Sequence, residues 1–219
     1  CGRRHGMFSM LHTWGSSSPG SSGIWADRVL KIAPDVSYHV NGGPTAIPDA
    51  DFPRLVDESK VAMQVCTAGN LRTTLLVADL LAKSDQMDRL LVATDTPTGS
   101  GIMPLGMFYT ISHLASLGGM EPEIAIAAAT GNNAKVYRLN SGIIAPGRDA
   151  DIVVIDACNG GSQEDALSGL RNGDVPAVGA VFTAGVPRFV GRSRNTPETI
   201  RRVRVAHSTI LQDFSGAGH

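Results

Sequence analysis

Three side chains that can bind a metal ion each lie at the end of a short apolar run: His12, His39 and Asp95. Neutral imidazole and carboxylate groups suit Zn²⁺ or Fe²⁺, and a site with three protein ligands leaves room for a water molecule. A bound metal lowers the pKa of that water, so that hydroxide becomes available as a nucleophile. Asp95 could accept the water proton and pass it to a departing nitrogen. This combination predicts metal-assisted hydrolysis.

The same three residues also have structural interpretations. A histidine at a strand end is often only a hydrogen-bonding group, and an aspartate before Thr96-Pro97 is often a helix cap. Because all three occur at the same end of successive units, the metal-site interpretation gains support. The spacing by itself leaves both interpretations open.

The surrounding pattern predicts how these residues are positioned. Apolar runs alternate with segments of helical spacing, which indicates parallel strands joined by helical crossovers. In a parallel barrel the carboxyl ends of the strands open on one face, where active-site residues gather. The predicted strands are Met7–His12, Val36–Val40, Val61–Cys66 and Arg89–Asp95, and the predicted helices span 24–32, 71–83, 104–117 and 121–139.

The pattern changes after Asn140. A Pro-Gly turn between Gly142–Ala145 and Asp151–Asp156 predicts one hairpin, and Ala184-Gly185 predicts a second between 177–183 and 186–190. One short helix is expected within 158–176, and a basic helical tail is expected from Thr196 onward. The predicted units are therefore an α/β part over 1–139, a β-rich segment over 140–195 and a tail over 196–219.

Several motifs resemble those of the amidohydrolase superfamily. The runs Leu11–Thr13, Tyr38–Thr45 and Ala93–Gly99 are similar to the motifs at the fifth, sixth and eighth strands of its barrel. Thr130–Ala134 together with Leu139–Asp156 resembles the superfamily's return from barrel to β-sandwich. Within the superfamily, the runs at 39–44, 98–106 and 193–197 are most similar to enamidase-type members, which hydrolyse cyclic enamides.

This resemblance implies an α/β fold: the C-terminal half of a (β/α)8 TIM-like barrel, over 1–139, plus part of a β-sandwich domain. It implies a binuclear divalent metal centre, with zinc preferred over iron or manganese. His12 and His39 would bind one metal, while Asp95 would bind the other and act as proton shuttle. The implied reaction is hydrolysis of a cyclic amide or enamide C–N bond by metal-bound hydroxide. The alternatives are a ring deaminase, a dihydropyrimidinase-like hydrolase, a decarboxylase or a non-catalytic subunit that completes a barrel.

Further loop residues on the expected catalytic face are candidates for substrate binding, although capping of helices and shaping of turns is an equal alternative. They are Thr13, Trp14, Asn41, Thr45, Thr96 and Thr98. Trp14 could stack on a planar ring or simply pack. His113 lies within a predicted helix, where a packed or solvated histidine is the expected interpretation.

The superfamily's His-x-His pair occurs nowhere in the sequence. This pair and the bridging carboxylate are expected on an N-terminal half, as a separate chain or a missing segment upstream of Cys1. A small-molecule substrate and a homo-oligomer are also expected. With 19 basic and 20 acidic residues, the balanced charge predicts neither a nucleic-acid nor a membrane partner. Three sparse cysteines favour inert thiols in a reducing cytoplasm.

Overall fold

The computed structural model of the chain describes residues 2–16, 18–42, 46–97 and 101–204. These residues form a parallel sheet of four strands and an antiparallel sheet of three. Strands β1–β4 are Met10–His12, Val36–Tyr38, Ala62–Cys66 and Leu90–Ala93; strands β5–β7 are Ile152–Asp156, Ala177–Thr183 and Val186–Val190. Helices α1–α7 are Ala26–Ile32, Asp51–Glu58, Leu71–Lys83, Gly106–Ser116, Pro122–Ala129, Gly131–Tyr137 and Ala166–Asn172. A 3-10 helix, Gly2–His5, precedes β1, and another, Met87–Arg89, precedes β4.

The parallel sheet has its strands in chain order, β1-β2-β3-β4, and every neighbouring pair is parallel. Strand β3 is covered on both faces, since four of its five residues are buried. A strand buried on both faces reads as a continuous apolar run, as expected for parallel sheets flanked by helices. The four predicted strands and their parallel arrangement are confirmed.

Helix α3 has the bounds that its sequence pattern predicts, Leu71–Lys83. The side-chain oxygen of Asn70 accepts a hydrogen bond from the backbone N–H of Thr73 at 3.0 Å. This cap satisfies one of the unpaired donors at the start of the helix. The helix therefore begins directly after the turn that follows β3, which fixes the direction of that turn.

The larger of two hydrophobic clusters among the described residues joins the parallel sheet to its helices. Helix α4 packs against both α5 and α7, although α7 belongs to the later, β-rich part of the chain. Leu170 of α7 is fully buried in this core. The largest fully buried side chains include Phe52, Ile47, Leu55, Met63, Leu81, Leu90, Leu91 and Leu114.

A buried arginine braces the amino end of the parallel sheet. The guanidinium of Arg89 donates to the backbone carbonyls of Leu55, Val56 and Val61 at 2.8–3.0 Å. Burial lowers the pKa of Arg89, but these carbonyls satisfy its donors. These hydrogen bonds fix the amino end of β4 to α2 and to the residue before β3.

The prediction of a hairpin around the Pro-Gly turn is wrong. The segment 142–145 forms no strand, Ile144 is 88% exposed, and β5 pairs with β6 instead. The backbone N–H of Asp149 donates to the carbonyl of Asn140 at 3.0 Å, so the loop closes on itself before β5 begins. The seven-residue β6 is buried over most of its length and offers β5 the better partner.

The single helix predicted over 121–139 is interrupted at Thr130, where φ is −130° and ψ is −79°. Two asparagines early in α6 explain the change of direction. Asn132 donates to the carbonyl of Leu90 at 3.0 Å, and Asn133 donates to that of Val92 at 3.1 Å. These bonds hold α6 against β4, which a straight continuation of α5 would not allow.

The second hairpin, between β6 and β7, is confirmed. Both turn residues, Ala184 and Gly185, have positive φ, as two-residue hairpin loops of the mirror-image type require. The short helix expected within 158–176 is α7, and it begins at an Asp165 cap and ends at Gly173 with φ of +92°.

The prediction of a helical tail is wrong over 196–204, where no helix forms. The backbone N–H of Ile200 donates to Ala157 and that of Arg201 to the Asp156 carboxylate, so these donors serve the end of β5 instead of an α-helix. The remainder of the tail, 205–219, lies outside the described residues. Over the part of the chain that the structure covers, no helix has the length and apolarity needed to cross a bilayer.

Candidate functional site

Two histidines meet at the carboxyl end of the parallel sheet. His12 is the last residue of β1, and His39 directly follows β2, its parallel neighbour. Their ring centroids lie 4.2 Å apart with the planes at 86°. The adjacent strands thus bring the two imidazoles close enough to act on one small ligand.

One nitrogen of this pair lacks a hydrogen-bond partner. The Nδ1 atom of His39 is buried and has no hydrogen-bond partner among the described residues. An unpaired buried nitrogen costs free energy, which a bound group in the same place would recover. Backbone strain accompanies this placement, because His39 has a φ of +28°.

The protonation state of His12 suits ligand binding. Burial lowers the pKa of His12, the neighbouring His39 lowers it further, and the Asp95 carboxylate partly offsets both effects. A lowered pKa favours the neutral imidazole, which is the form that donates a lone pair to a metal.

Asp95 lies at the same edge of the sheet, two residues beyond β4. It is exposed and has a φ of +59°. Its charge acts on His12 and also contributes to the raised pKa of Cys66. In the described ranges, however, no three His, Cys, Asp or Glu side chains form a group that could hold a metal by itself. The structure therefore brings the two histidines together and places Asp95 nearby without completing a ligand set.

Trp14 packs on the histidine pair. Its ring centroid lies 4.5 Å from that of His12 and 6.3 Å from that of His39. The indole is half-buried. It therefore forms part of the wall beside both imidazoles, a position compatible with either ring stacking or packing.

Two predicted substrate contacts are buried inside the protein. Thr13 is 0% exposed, and its hydroxyl bonds to the Ser37 hydroxyl and to the Leu11 carbonyl. Asn41 is also 0% exposed, and its side-chain amide bonds to the backbone of Cys66 and to the Thr74 hydroxyl. The geometry favours the structural alternative for both residues.

The remaining candidates divide into described and undescribed positions. The Thr96 hydroxyl donates to that of Thr94 at 3.1 Å within the loop that carries Asp95. Thr45 and Thr98 lie outside the described residues. His113 is half-buried on α4, with its Nε2 atom 3.2 Å from the carbonyl oxygen of Leu71, as expected for a packed helix histidine.

Cys66 ends β3, between the strands that carry His39 and Asp95. Burial raises the pKa of Cys66 to about 12, and the charge of Asp95 adds to this. The thiol is therefore neutral near pH 7 and poorly nucleophilic. The other described cysteine, Cys158, donates from Sγ to the Val175 carbonyl at 2.9 Å.

The sequence holds a second signal at the strand ends, in residues that are not metal ligands. A threonine directly follows β1, β3 and β4, at Thr13, Thr67 and Thr94. The Thr13 and Thr67 side chains bond across to a neighbouring strand or loop. This repetition marks residues that tie the loops at the carboxyl end together.

Comparison with known proteins adds a family and a reference structure. The family model described as "Amidohydrolase family" matches residues 26–195. Enamidase from Eubacterium barkeri is 40% identical over 202 residues, which are 92% of this chain and 52% of that protein. The crystal structure of enamidase superposes with a TM-score of 0.87 over 91% of this chain and 52% of its own. The α/β fold thus matches that enzyme, and the chain spans about half the length of this relative.

Two further matches are more distant. Adenine deaminase 1 from Desulfotalea psychrophila is 36% identical over 93 residues, or 42% of this chain and 15% of that protein. The crystal structure of a β-aspartyl dipeptidase from Fervidobacterium islandicum AW-1 has a TM-score of 0.58 at 15% identity, covering 91% of this chain and 48% of its own. The second match extends the likeness in fold only.

Proposed function

Because the chain belongs to the amidohydrolase family, we propose that it is the part of a metal-dependent hydrolase that carries His12, His39 and Asp95. The bond cleaved is the C–N bond of a cyclic amide or enamide. The observation that carries this proposal is the pair of imidazoles, 4.2 Å apart at the carboxyl end of adjacent parallel strands. The similarity to enamidase supports the choice of substrate class.

The residues present fit a divalent cation. The buried Nδ1 atom of His39 lacks a partner in the described structure, and His12 favours its neutral form. Imidazole and carboxylate donors accept zinc, with iron or manganese as alternatives. When bound, the proposed pair of cations would lower the pKa of water and polarise the substrate carbonyl.

The chain's own side chains have separate roles in this proposal. His12 and His39 would hold one cation, and Asp95 would hold the second. The exposed Asp95 carboxylate accepts a proton from the attacking water and delivers it to the leaving nitrogen. Trp14 borders the histidine pair, and we assign its ring to the wall of the substrate site.

The proposed metal site needs ligands beyond those on the described residues. No complete metal-binding group occurs in the described residues, and the enamidase that matches is about twice as long. We propose that four further strands, on an N-terminal segment or a separate chain, complete the barrel and supply the remaining ligands. The assembled enzyme is proposed to be a homo-oligomer.

A second candidate is a ring deaminase that uses the same residues. The match to adenine deaminase over 93 residues is the observation that favours it. Both reactions begin with attack of water on a ring carbon bonded to nitrogen. They differ in whether ring opening or release of ammonia follows, so the products separate them.

The test uses the complete protein, with any polypeptide that co-purifies. Zn²⁺ binding is measured by calorimetry, and turnover is measured with a six-membered unsaturated lactam and with adenine. We expect ring opening of the lactam, and we expect His39→Ala to lose both Zn²⁺ binding and turnover. His113→Ala is the matched control, since His113 is a half-buried histidine on α4 whose Nε2 atom lies against the Leu71 carbonyl, and it should retain both.

Release of ammonia from adenine without lactam hydrolysis would replace the first candidate by the second. Unchanged Zn²⁺ binding in His39→Ala would remove the histidine pair from the metal site and end the proposal.

A further inference from the structure

The turn after β3, Cys66–Asn70, differs from its neighbours because it has neither a histidine nor a carboxylate. We call it the β3 turn. In the sheet order β1-β2-β3-β4, it lies between the turn that carries His39 and the loop that carries Asp95. Its hydrogen bonds extend to both neighbours.

On the β2 side, the β3 turn is joined to Asn41, two residues after His39. The backbone N–H of Cys66 donates to Oδ1 of Asn41 at 3.0 Å, and Nδ2 of Asn41 donates to the carbonyl of Cys66 at 2.9 Å. The side-chain amide thus imitates one more residue of a β-ladder. The second Nδ2 proton goes to the Thr74 hydroxyl at 2.8 Å, and the Asn41 carbonyl accepts from the N–H of Asn70 at 3.0 Å.

The fit of Asn41 against this turn requires a glycine. A Cβ atom at Gly69 would lie closer than 3.0 Å to Nδ2 of Asn41 and to the carbonyl oxygen of Gly42. Neither atom can move freely, because the first is fixed by hydrogen bonds and the second is backbone. The glycine therefore permits the close approach that holds the His39 turn.

On the β4 side, the β3 turn is joined to the loop that carries Asp95. The N–H groups of Thr67 and Ala68 donate to the carbonyls of Ala93 and Thr94 at 3.1 and 3.3 Å. The Thr67 hydroxyl lies 2.7 Å from that of Thr110 and 3.0 Å from the carbonyl of Gly106. The Thr67 hydroxyl thus joins the β3 turn to the end of β4 and to the start of α4.

We propose that the β3 turn is the element that fixes the spacing of His39 and Asp95, with Asn41 and Thr67 as positioning residues. The inference rests on the proposed function, because that function makes His39 and Asp95 ligands in the same metal site. An enzyme loses activity steeply when its catalytic groups are displaced. A β3 turn that holds the two loops rigidly, like a strut, therefore has a direct effect on the rate. It also explains why this turn is built from small residues and hydrogen-bonding groups.

A structural role alone would lower stability without a specific effect on the two loops. Thr73 offers a matched control, because its hydroxyl is buried on α3 with no hydrogen-bond partner in the described structure. Thr67→Val and Thr73→Val make the same chemical change a few residues apart. Only the first removes side-chain hydrogen bonds to Ala93, which precedes the loop of Asp95 by one residue, and to α4.

The first readout does not depend on activity. Amide hydrogen exchange is measured on the complete protein in Thr67→Val, Thr67→Ser and Thr73→Val. We expect exchange over 93–96 to accelerate about tenfold in Thr67→Val, to return toward the wild-type rate in Thr67→Ser and to be unchanged in Thr73→Val. Equal protection in all variants would overturn the proposal, whatever the enzyme's substrate is.

The second readout is turnover of the unsaturated lactam. We expect kcat to fall about 10- to 100-fold in Thr67→Val while KM changes less than about twofold, with recovery in Thr67→Ser. If the exchange rates change as expected and no variant hydrolyses the lactam, the proposed function fails and the strut remains. If kcat is unaffected while exchange accelerates, the positioning role is refuted.

The His39 side is tested by Thr74→Val, which removes one acceptor from the Asn41 amide. We expect Zn²⁺ affinity to fall about 10- to 100-fold, as for other residues that orient metal ligands, and Thr74→Ser to restore it. An affinity in Thr74→Val equal to that of wild type would limit the strut to the Asp95 side and contradict the proposal as stated.

Discussion

The parallel sheet and the antiparallel sheet use their polar residues differently. At the carboxyl end of the parallel sheet, hydroxyl and amide side chains join one loop to the next, as Asn41 and Thr67 do. In the antiparallel part, the buried Asp156 carboxylate instead accepts hydrogen bonds from the backbone and guanidinium of Arg201. The sequence over 140–195 contains no histidine.

The difference follows from strand direction. Parallel strands align all their carboxyl ends at one edge, so that loops distant in sequence become neighbours. Antiparallel strands place their carboxyl ends alternately at opposite ends of the sheet. In this part of the chain, the polar group of Asp156 binds the segment that follows β7. We therefore expect substitutions at the edge of the parallel sheet to affect activity, and those in the antiparallel part to affect stability.

The largest effect is expected for Asp95→Asn. Loss of the proton acceptor should lower kcat by about 10²- to 10⁴-fold, because this is the range for removal of a general acid-base group. The exposed side chain lies outside the core, so the melting temperature should remain unchanged. Steady-state kinetics with the lactam and a thermal melt provide the measurement, and a normal kcat would remove Asp95 from the proposed mechanism.

Leu170→Ala tests whether the two regions are independent. Leu170 lies on α7 but is fully buried in the core of the parallel unit, so its truncation should cost about 2–5 kcal/mol of unfolding free energy. Urea denaturation should show one cooperative transition at lower urea. Ile144→Ala is the control, since Ile144 is 88% exposed, and it should leave the midpoint in place. Two separate transitions would contradict the shared core.

Asp156→Asn should destabilise the protein without changing kcat. The carboxylate accepts from the N–H groups of Ala157 and Arg201 as well as from the Arg201 guanidinium. Because Arg201 is largely exposed, solvent reduces the value of the ion pair, and we expect a loss of about 1–2 kcal/mol. Chemical denaturation at pH 7 measures this loss, and a fall in kcat would break the division between the two regions.

The same carboxylate gives a pH dependence. Hydrogen bonds from Arg201 are the largest cause of the lowered pKa of Asp156 in the folded protein. A lowered folded pKa means that this stabilisation is complete above the ordinary aspartate pKa of about 4 and is lost as the pH falls through the folded value. The stability difference between wild type and Asp156→Asn should therefore shrink below about pH 4, and a constant difference would contradict this assignment.

The smallest effect is expected for Glu121→Gln. Glu121 forms an ion pair with Arg171 that joins the start of α5 to α7, but both side chains are at least half exposed. Exposed pairs are screened by water and contribute little. The melting temperature should be unchanged, and a clear decrease would show that this surface contact, and not only the core, couples the two regions.

Several elements could be predicted because local signals agreed with the tertiary environment. Helix α3 has both an Asn70 cap and an apolar face, and its predicted bounds are those observed. The hairpin of β6 and β7 has the Ala184-Gly185 turn. The pairing of His12 and His39 could be anticipated because His12 ends one strand and His39 directly follows its parallel neighbour.

Other features depended on partners that a linear pattern does not identify. The Pro-Gly loop resembled a hairpin turn, but β5 pairs with the buried β6 instead of with the segment before that loop. The tail resembled a helix, but Asp156 and Ala157 bind its N–H groups. Asn41 and Thr13 resembled substrate contacts, whereas the structure buries both.

The sequence by itself determined which residues can do chemistry: two imidazoles and a carboxylate at strand ends, within motifs of one superfamily. It also determined the direction of the strands, through the alternation of apolar runs and helices. Only the tertiary structure decided that the turn of Cys66–Asn70 joins the loops of His39 and Asp95. The reason is physical, because hydrogen bonds between residues about 25 positions apart depend on where the neighbouring strands place them.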